Sequence, residues 1–207
     1  GQEPIRLLFE GVAEGKAVDH IFLTGAKGSG KTHLLRACVG HRLALGLQAA
    51  YLPLRKMLHA LPDALEGFEQ HSLVCLDDVQ ALAGNSEAEI ALFHFFNRAK
   101  AAGTRLVFAA DAMPALLGIE LPDLVSRLEQ SVRISIDVLD ESGKRQVLLQ
   151  RAQQRGLELD VAVLDYLFSR VSRDLQTLSQ LLDRLDHASL AAQRRLTIPF
   201  IKTVLNT

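Results

Sequence analysis

Gly25-Ala26-Lys27-Gly28-Ser29-Gly30-Lys31-Thr32 follows the apolar run His20 to Thr24 and opens a helical pattern that extends from Lys31 to Leu45. A strand, then G-x-x-x-x-G-K-[ST], then a helix is the layout of a phosphate-binding P-loop. The glycines let successive backbone N–H groups converge on phosphate oxygens, and the helix N-terminus adds partial positive charge at the same place. Gly25, Gly28, Ser29 and Gly30 are therefore expected to form the cradle. Lys31 should reach the β- and γ-phosphates and the Thr32 hydroxyl should hold Mg²⁺, with ATP or ADP as the ligand. Such a match arises by chance in roughly 1% of chains this long, and the strand and helix on either side lower that further.

Working outward, four more apolar runs follow: AAYLP from Ala49, LVCLDD from Leu73, LVFAAD from Leu106 and VRISI from Val132. Their hydrophobicity is continuous rather than alternating, which marks strands covered on both faces and hence a parallel sheet flanked by helices. The fold class is α/β. Leu121-Pro122-Asp123 is expected to open a short helix, since proline is tolerated in a first turn. Beyond Val138 no strand-like run follows. Leu164, Leu167, Phe168 and Val171 recur at helical spacing, as do Leu175, Leu178, Leu182 and Leu185, and Gly156 and Pro199 stand between helical patterns as stop and start signals. The division expected is an α/β domain over 1–137 and a small helical domain over 138–207.

The 207 residues are 48% hydrophobic and 23% charged, ordinary values for a globular chain, which excludes disordered and fibrous classes. Lys and Arg number 23 against 24 Asp and Glu, so no overall field draws the chain to a phosphate backbone or an anionic membrane. Contact with DNA is expected through partners. Cys38 and Cys75 lie in apolar stretches and read as packed thiols. No apolar run has membrane-spanning length and no signal peptide opens the chain, so a cytoplasmic protein is expected. Gly1-Gln2-Glu3-Pro4 lacks an initiator methionine and reads as a trimmed start.

A metal held by Thr32 and phosphate needs a carboxylate opposite. Leu73 to Asp78 supplies two, at the end of an apolar strand and at the same sheet edge as the loop. Asp77 is assigned to the metal side, and Asp78 to orienting the attacking water. Relatives of the P-loop ATPase class commonly carry glutamate at the second position. Aspartate is one methylene shorter, about 1.5 Å less reach, and catalysis responds to displacements of that order. Weak intrinsic turnover is the expectation.

GAKGSGKTHLLRA, LVCLDDVQALAG, FAADAMP and LPDLVSRLE, in this order and spacing, resemble the DnaA-related AAA+ family of bacterial replication proteins. The tail SRDLQTLSQLLDRLDHASLAAQRRLTIPFIKTVL is most similar to the Hda-type regulatory members. The resemblance implies a five-strand parallel sheet with a helical lid and a nucleotide between them, ADP being the form it suggests. It also implies that Arg127, in Val125-Ser126-Arg127-Leu128, is an arginine finger offered in trans to ATP on a partner. Fingers of this kind raise rates about 10³- to 10⁵-fold. Arg173 matches the lid arginine called sensor 2, which touches the phosphates in cis; at an expected helix start it opposes the dipole, a local misfit that suggests a ligand. Asp111 takes the sensor 1 position, with a turn-capping role as the alternative.

Three readings are compared. The first is a regulator that drives hydrolysis of ATP held by a DnaA-type initiator and so prevents re-initiation. Its implied partners are that initiator and the DNA polymerase sliding clamp, although nothing in 1–11 resembles the glutamine-leucine clamp peptide of such relatives; a homodimer is left open. The second is the ATPase core of an initiator or helicase-loader-like protein. Against it, Leu54 to His71 sets Asp63, Glu66 and Glu69 beside Arg55 and Lys56, a poor surface for single-stranded DNA. The third is an unrelated P-loop kinase, for which no substrate pocket can be read. Seven histidines without metal-ligand spacing point to no metal besides Mg²⁺. His33 is expected to pack on the P-loop helix, Phe93, Phe95 and Phe96 to enter the core, and Arg194, Arg195 and Lys202 to form a small basic patch at a solvated helix end.

Overall fold

The computed structural model describes residues 20–170, 175–192 and 196–205. The chain divides between Val138 and Leu139 into two compact units. The first contains β1 (Ile21–Thr24), α1 (Lys31–Ala44), β2 (Ala49–Pro53), the short turns α2 (Leu54–Met57) and α3 (Leu61–Ala64), β3 (Leu73–Asp77), α4 (Ser86–Ala102), β4 (Arg105–Ala110), α5 (Pro122–Glu129) and β5 (Val132–Ser135). All strand pairs are parallel, in the order β2-β3-β4-β1-β5. This is the five-strand α/β sheet expected from the runs.

Continuous hydrophobicity follows from two cores, one on each face. Ile21, Leu23, Cys75, Val107 and Ala109 point to the side where α1 lays Leu35, Cys38 and Val39. Their neighbours Phe22, Val74, Leu76, Leu106 and Phe108 point to the other, against Leu92, Phe95, Phe96 and Ala99 of α4 and Leu124 and Leu128 of α5. The three inner strands are therefore buried along their length, apart from half-covered Arg105 at the start of β4. The expectation of two covered faces fails for the outer strands. β2 alternates buried and half-covered residues, and β5 is largely exposed, because each has a neighbour on one side only. Cys38 and Cys75 are buried free thiols. Burial pushes Cys38 up to about 12 and Cys75 well above the usual thiol range, so both stay protonated and inert.

The second unit is helical: α6 (Glu141–Gln154), α7 (Val161–Arg170), α8 (Leu175–Ala192) and α9 (Ile198–Leu205). Asp140 caps α6 by accepting from the Gly143 N–H at 2.7 Å and from Ser142 Oγ. Gly156 follows the helix at φ 72°, a left-handed conformation that favours glycine. The leucine stripes read from the sequence meet in one core, where Leu164, Leu167 and Phe168 of α7 join Leu178, Leu182 and Leu185 of α8. Arg145 covers part of it, pairing with Asp165 at 2.6 Å and Glu141 at 3.2 Å while lying 4.8 Å over the Phe168 ring. Among the described residues no helix is long and apolar enough to cross a membrane.

Candidate functional site

In a parallel sheet all strands point the same way, and the crevice beyond their C-terminal ends is where ligands bind. The loop after β1 carries 25–30 there. Gly28 and Gly30 have φ of 84° and 101°, conformations that side chains resist, while Gly25 is demanded by space. A Cβ at Gly25 would lie 2.4 Å from the Ile136 carbonyl oxygen and 2.7 Å from Ser29 Oγ. The Ser29 N–H closes a turn on the Ala26 carbonyl at 3.1 Å, and its buried hydroxyl finds no hydrogen-bond partner among the described residues. Lys31 folds back over the loop, donating to the Gly25 carbonyl and, at 3.1 Å, to that of Ala26. Burial draws the Lys31 ammonium below its ordinary range, and the carboxylates of Asp77, Asp111 and Asp78 oppose that shift. A cation partly removed from water, beside an orphaned hydroxyl, suits phosphate oxygens.

The strand order brings the acids to the same place. Asp77 ends β3 and is 3% exposed. Its Oδ2 accepts from Thr32 Oγ1 at 2.6 Å and from the Tyr51 hydroxyl at 2.8 Å, and its Oδ1 from the Asp78 N–H at 3.0 Å. A threonine hydroxyl in contact with an oriented carboxylate is a hard oxygen pair of the kind Mg²⁺ takes together with phosphates. Thr32 and Asp77 would hold it, and the ion would neutralise phosphate charge. Among the described residues no three His, Cys, Asp or Glu side chains converge as an all-protein metal site.

Asp78 takes φ 59°, the one positive φ among described non-glycine residues. Its Oδ1 accepts from Gln80 Nε2 at 3.0 Å, and Oδ2 lies 3.5 Å from Arg55 Nε. Asp111 follows β4, whose Ala110 is in register with Thr24 of β1, so it stands beside the P-loop and acts electrostatically on Lys31. It is exposed and makes no turn-capping hydrogen bond among the described residues.

Arg127 lies in the last turn of α5. Leu124 and Leu128 of the same helix are fully buried, whereas Arg127 is half-exposed and makes no hydrogen bond or ion pair with any described residue. Arg173, the expected sensor 2, lies outside the described residues, as do Arg194 and Arg195 of the basic patch and 1–11 of the clamp comparison. His33, expected to pack on the P-loop helix, is exposed on α1. The helix turns its buried stripe, Leu35, Cys38 and Val39, to the sheet and leaves position 33 on the outer side.

Sequence reading missed Tyr51 and Arg55. Tyr51 sits in β2 opposite Cys75, two residues before Asp77 on the adjoining strand, with the Arg36 guanidinium 4.8 Å over its ring. Burial and the hydrogen bond to Asp77 push its hydroxyl up to about 12, so it stays a donor. The available signal was a polar-tipped aromatic inside an otherwise apolar run.

Residues 10–135 match the family described as the bacterial DnaA ATPase domain, and residues 140–205 match the Hda lid domain. A Haemophilus influenzae protein described only as uncharacterized is 47% identical over 186 residues, covering 89% of this chain and 80% of that protein. Among solved structures, domain III of the Thermotoga maritima initiator DnaA superposes with a TM-score of 0.82 at 24% identity, covering all of this chain and 91% of that one. AMPPCP-bound DnaA from Aquifex aeolicus gives 0.74 at 26% identity over 91% of this chain. The chain spans 62% of the length of that structure, under two thirds. By the match over its sheet and over its lid, the chain belongs to the DnaA-related AAA+ family and is of the Hda type.

Proposed function

We propose that this chain is a regulatory inactivator of a DnaA-type replication initiator, presenting Arg127 in trans to initiator-bound ATP and so preventing re-initiation of DNA replication in the cytoplasm. The observation that carries the reading is Arg127 itself, half-exposed on a helix whose other face is anchored in the core, with no carboxylate among the described residues to hold it. A guanidinium left free at a helix end is available to neutralise charge developing on a transferred phosphoryl group. The Hda-type lid supports the regulator over the initiator core. So does Arg55, whose pairing with Asp78 removes a cation from the segment a single strand would need.

In this reading the chain's own P-loop binds ADP or ATP. Gly25, Gly28, Ser29 and Gly30 present the loop, Lys31 holds the phosphates, Thr32 and Asp77 take Mg²⁺, and Asp111 stands beside the loop, while Arg173 keeps the phosphate-sensing role that the family resemblance implies. Intrinsic turnover is weak, a role for Asp78 limited by its ties to Arg55 and Gln80. The sliding clamp is the further partner the family resemblance implies, and DNA is reached through partners.

The test mixes the chain with ATP-loaded initiator and follows phosphate release. The expected result is stimulated hydrolysis with the parent chain and none with Arg127→Ala. Equal hydrolysis in both mixtures removes the reading.

A further inference from the structure

Glu89 lies in the first turn of α4 and is 1% exposed, a carboxylate placed among apolar side chains. Buried carboxylates need compensation by charge or by several hydrogen bonds. Here it comes from three backbone amides. Oε1 accepts from the Gly84 N–H at 3.2 Å, and Oε2 accepts from the N–H groups of Glu120 at 3.0 Å and Leu121 at 2.8 Å. None of these donors is near in sequence to the others, apart from the adjoining pair 120 and 121.

Leu121 is the residue from which α5 starts. Its carbonyl accepts from the N–H groups of Leu124 and Val125 at 3.1 and 3.2 Å, closing the first turn. Its N–H is the one Glu89 holds, and Pro122 follows with no N–H of its own. α5 has only eight residues, so a shift at its start reaches Arg127 in its last turn undamped. Packing of Leu124 and Leu128 sets which face points inward but is non-directional along the helix axis. A short, charge-assisted hydrogen bond is directional and fixes position along that axis.

We infer that Glu89 is a positioning residue for Arg127: by gripping the amides of Glu120 and Leu121 it sets where the arginine helix begins and hence how far the guanidinium reaches. The inference rests on the trans role proposed for Arg127. Through Gly84 the same carboxylate also ties the helix to the turn that follows Asp78.

The experiment compares the full chain with Glu89→Gln, Glu89→Asp and Arg127→Ala. It measures stimulated hydrolysis of initiator-bound ATP across a range of chain concentrations, together with amide hydrogen exchange. Glutamine replaces one acceptor oxygen with a donor and loses at least one of the three bonds. The expected result for Glu89→Gln is a maximal rate about tenfold lower, the size of one lost hydrogen bond to a charged group, with the half-saturating concentration unchanged. The Glu120 and Leu121 amides should exchange faster, while those of Leu76 and Phe108 do not. A variant that merely loosened the fold would raise exchange at all four. Should Glu89→Gln do so, Glu89→Asp, which keeps the charge but falls a methylene short of its partners, must give the selective pattern or the inference fails. An unchanged maximal rate for Glu89→Gln beside an inactive Arg127→Ala overturns the positioning role and leaves the trans reading standing. Full activity of Arg127→Ala overturns both.

Discussion

Removing the Tyr51 hydroxyl isolates one bond in the network around Asp77. In Tyr51→Phe the ring, the Arg36 guanidinium over its face and its place in β2 remain, while the 2.8 Å hydrogen bond to Asp77 Oδ2 is lost together with the hydroxyl's polar contact with Arg36. Hydrogen bonds to charged groups contribute about 1.5–3 kcal/mol. Asp77 keeps two donors, Thr32 at 2.6 Å and the Asp78 N–H at 3.0 Å, while its 3% exposure leaves little room for water to replace the third. The expected loss is therefore at the low end, about 1.5 kcal/mol. For chains of this size that corresponds to a fall in Tm of roughly 3–6 °C. Thermal unfolding followed by circular dichroism measures it, in a double-mutant cycle with Asp77→Asn. Coupling of at least about 1 kcal/mol is expected between residues in one network. A loss below about 0.5 kcal/mol, the scatter of ordinary surface changes, or the same loss whether position 77 is Asp or Asn, would refute the argument that this hydroxyl orients the carboxylate.

Gly25→Ala brings a methyl group against the Ile136 carbonyl and Ser29 Oγ, so it should destabilise the sheet by about 1–3 kcal/mol, as overpacking does, and weaken nucleotide binding; an unchanged melt and affinity would contradict the packing argument. Lys31→Ala removes a cation from the cradle and should lower affinity for a fluorescent ADP analogue about 10- to 100-fold, the worth of one charge-assisted contact, with the fold unaltered by circular dichroism. Asp140 is held below the usual carboxylate range by the Gly143 N–H and then by the Ser142 hydroxyl. Its stabilisation is thus complete above the ordinary carboxylate pKa of about 4 and is lost as pH falls through the lowered folded value. Asp140→Ala should therefore melt below the parent at pH 7, the gap closing in strong acid; a gap independent of pH would show that the cap acts without its charge.

How much was legible in advance depends on how far apart in the chain the interacting groups are. The P-loop, its strand and its helix are one contiguous segment, so glycine positions and hydrophobic period were enough to place 25–32 at a strand-to-helix turn. The same holds for the α5 start at Pro122 and for the leucine stripes of α7 and α8, each a matter of spacing within a single helix. Asp77 was read from its place at the end of a strand, and in the structure its carboxylate accepts from Thr32 of the loop, 45 residues away.

The sequence by itself determined the layers, because a helix or strand announces its buried faces through the period of its apolar residues. Only the tertiary structure decided the neighbours. Strand order puts β2 beside β3, and from that alone come the Tyr51 bond to Asp77, the Arg55 pair with Asp78 and the half-bare edges at β2 and β5. The Glu89 grip on residues 31 and 32 positions further along the chain arises in the same way, where α4 and the start of α5 pack on one face of the sheet. Periodicity records which side of an element is covered. It carries no information on what covers it, since hydrophobic burial is non-directional and the polar contacts form only where packing has already brought their partners together.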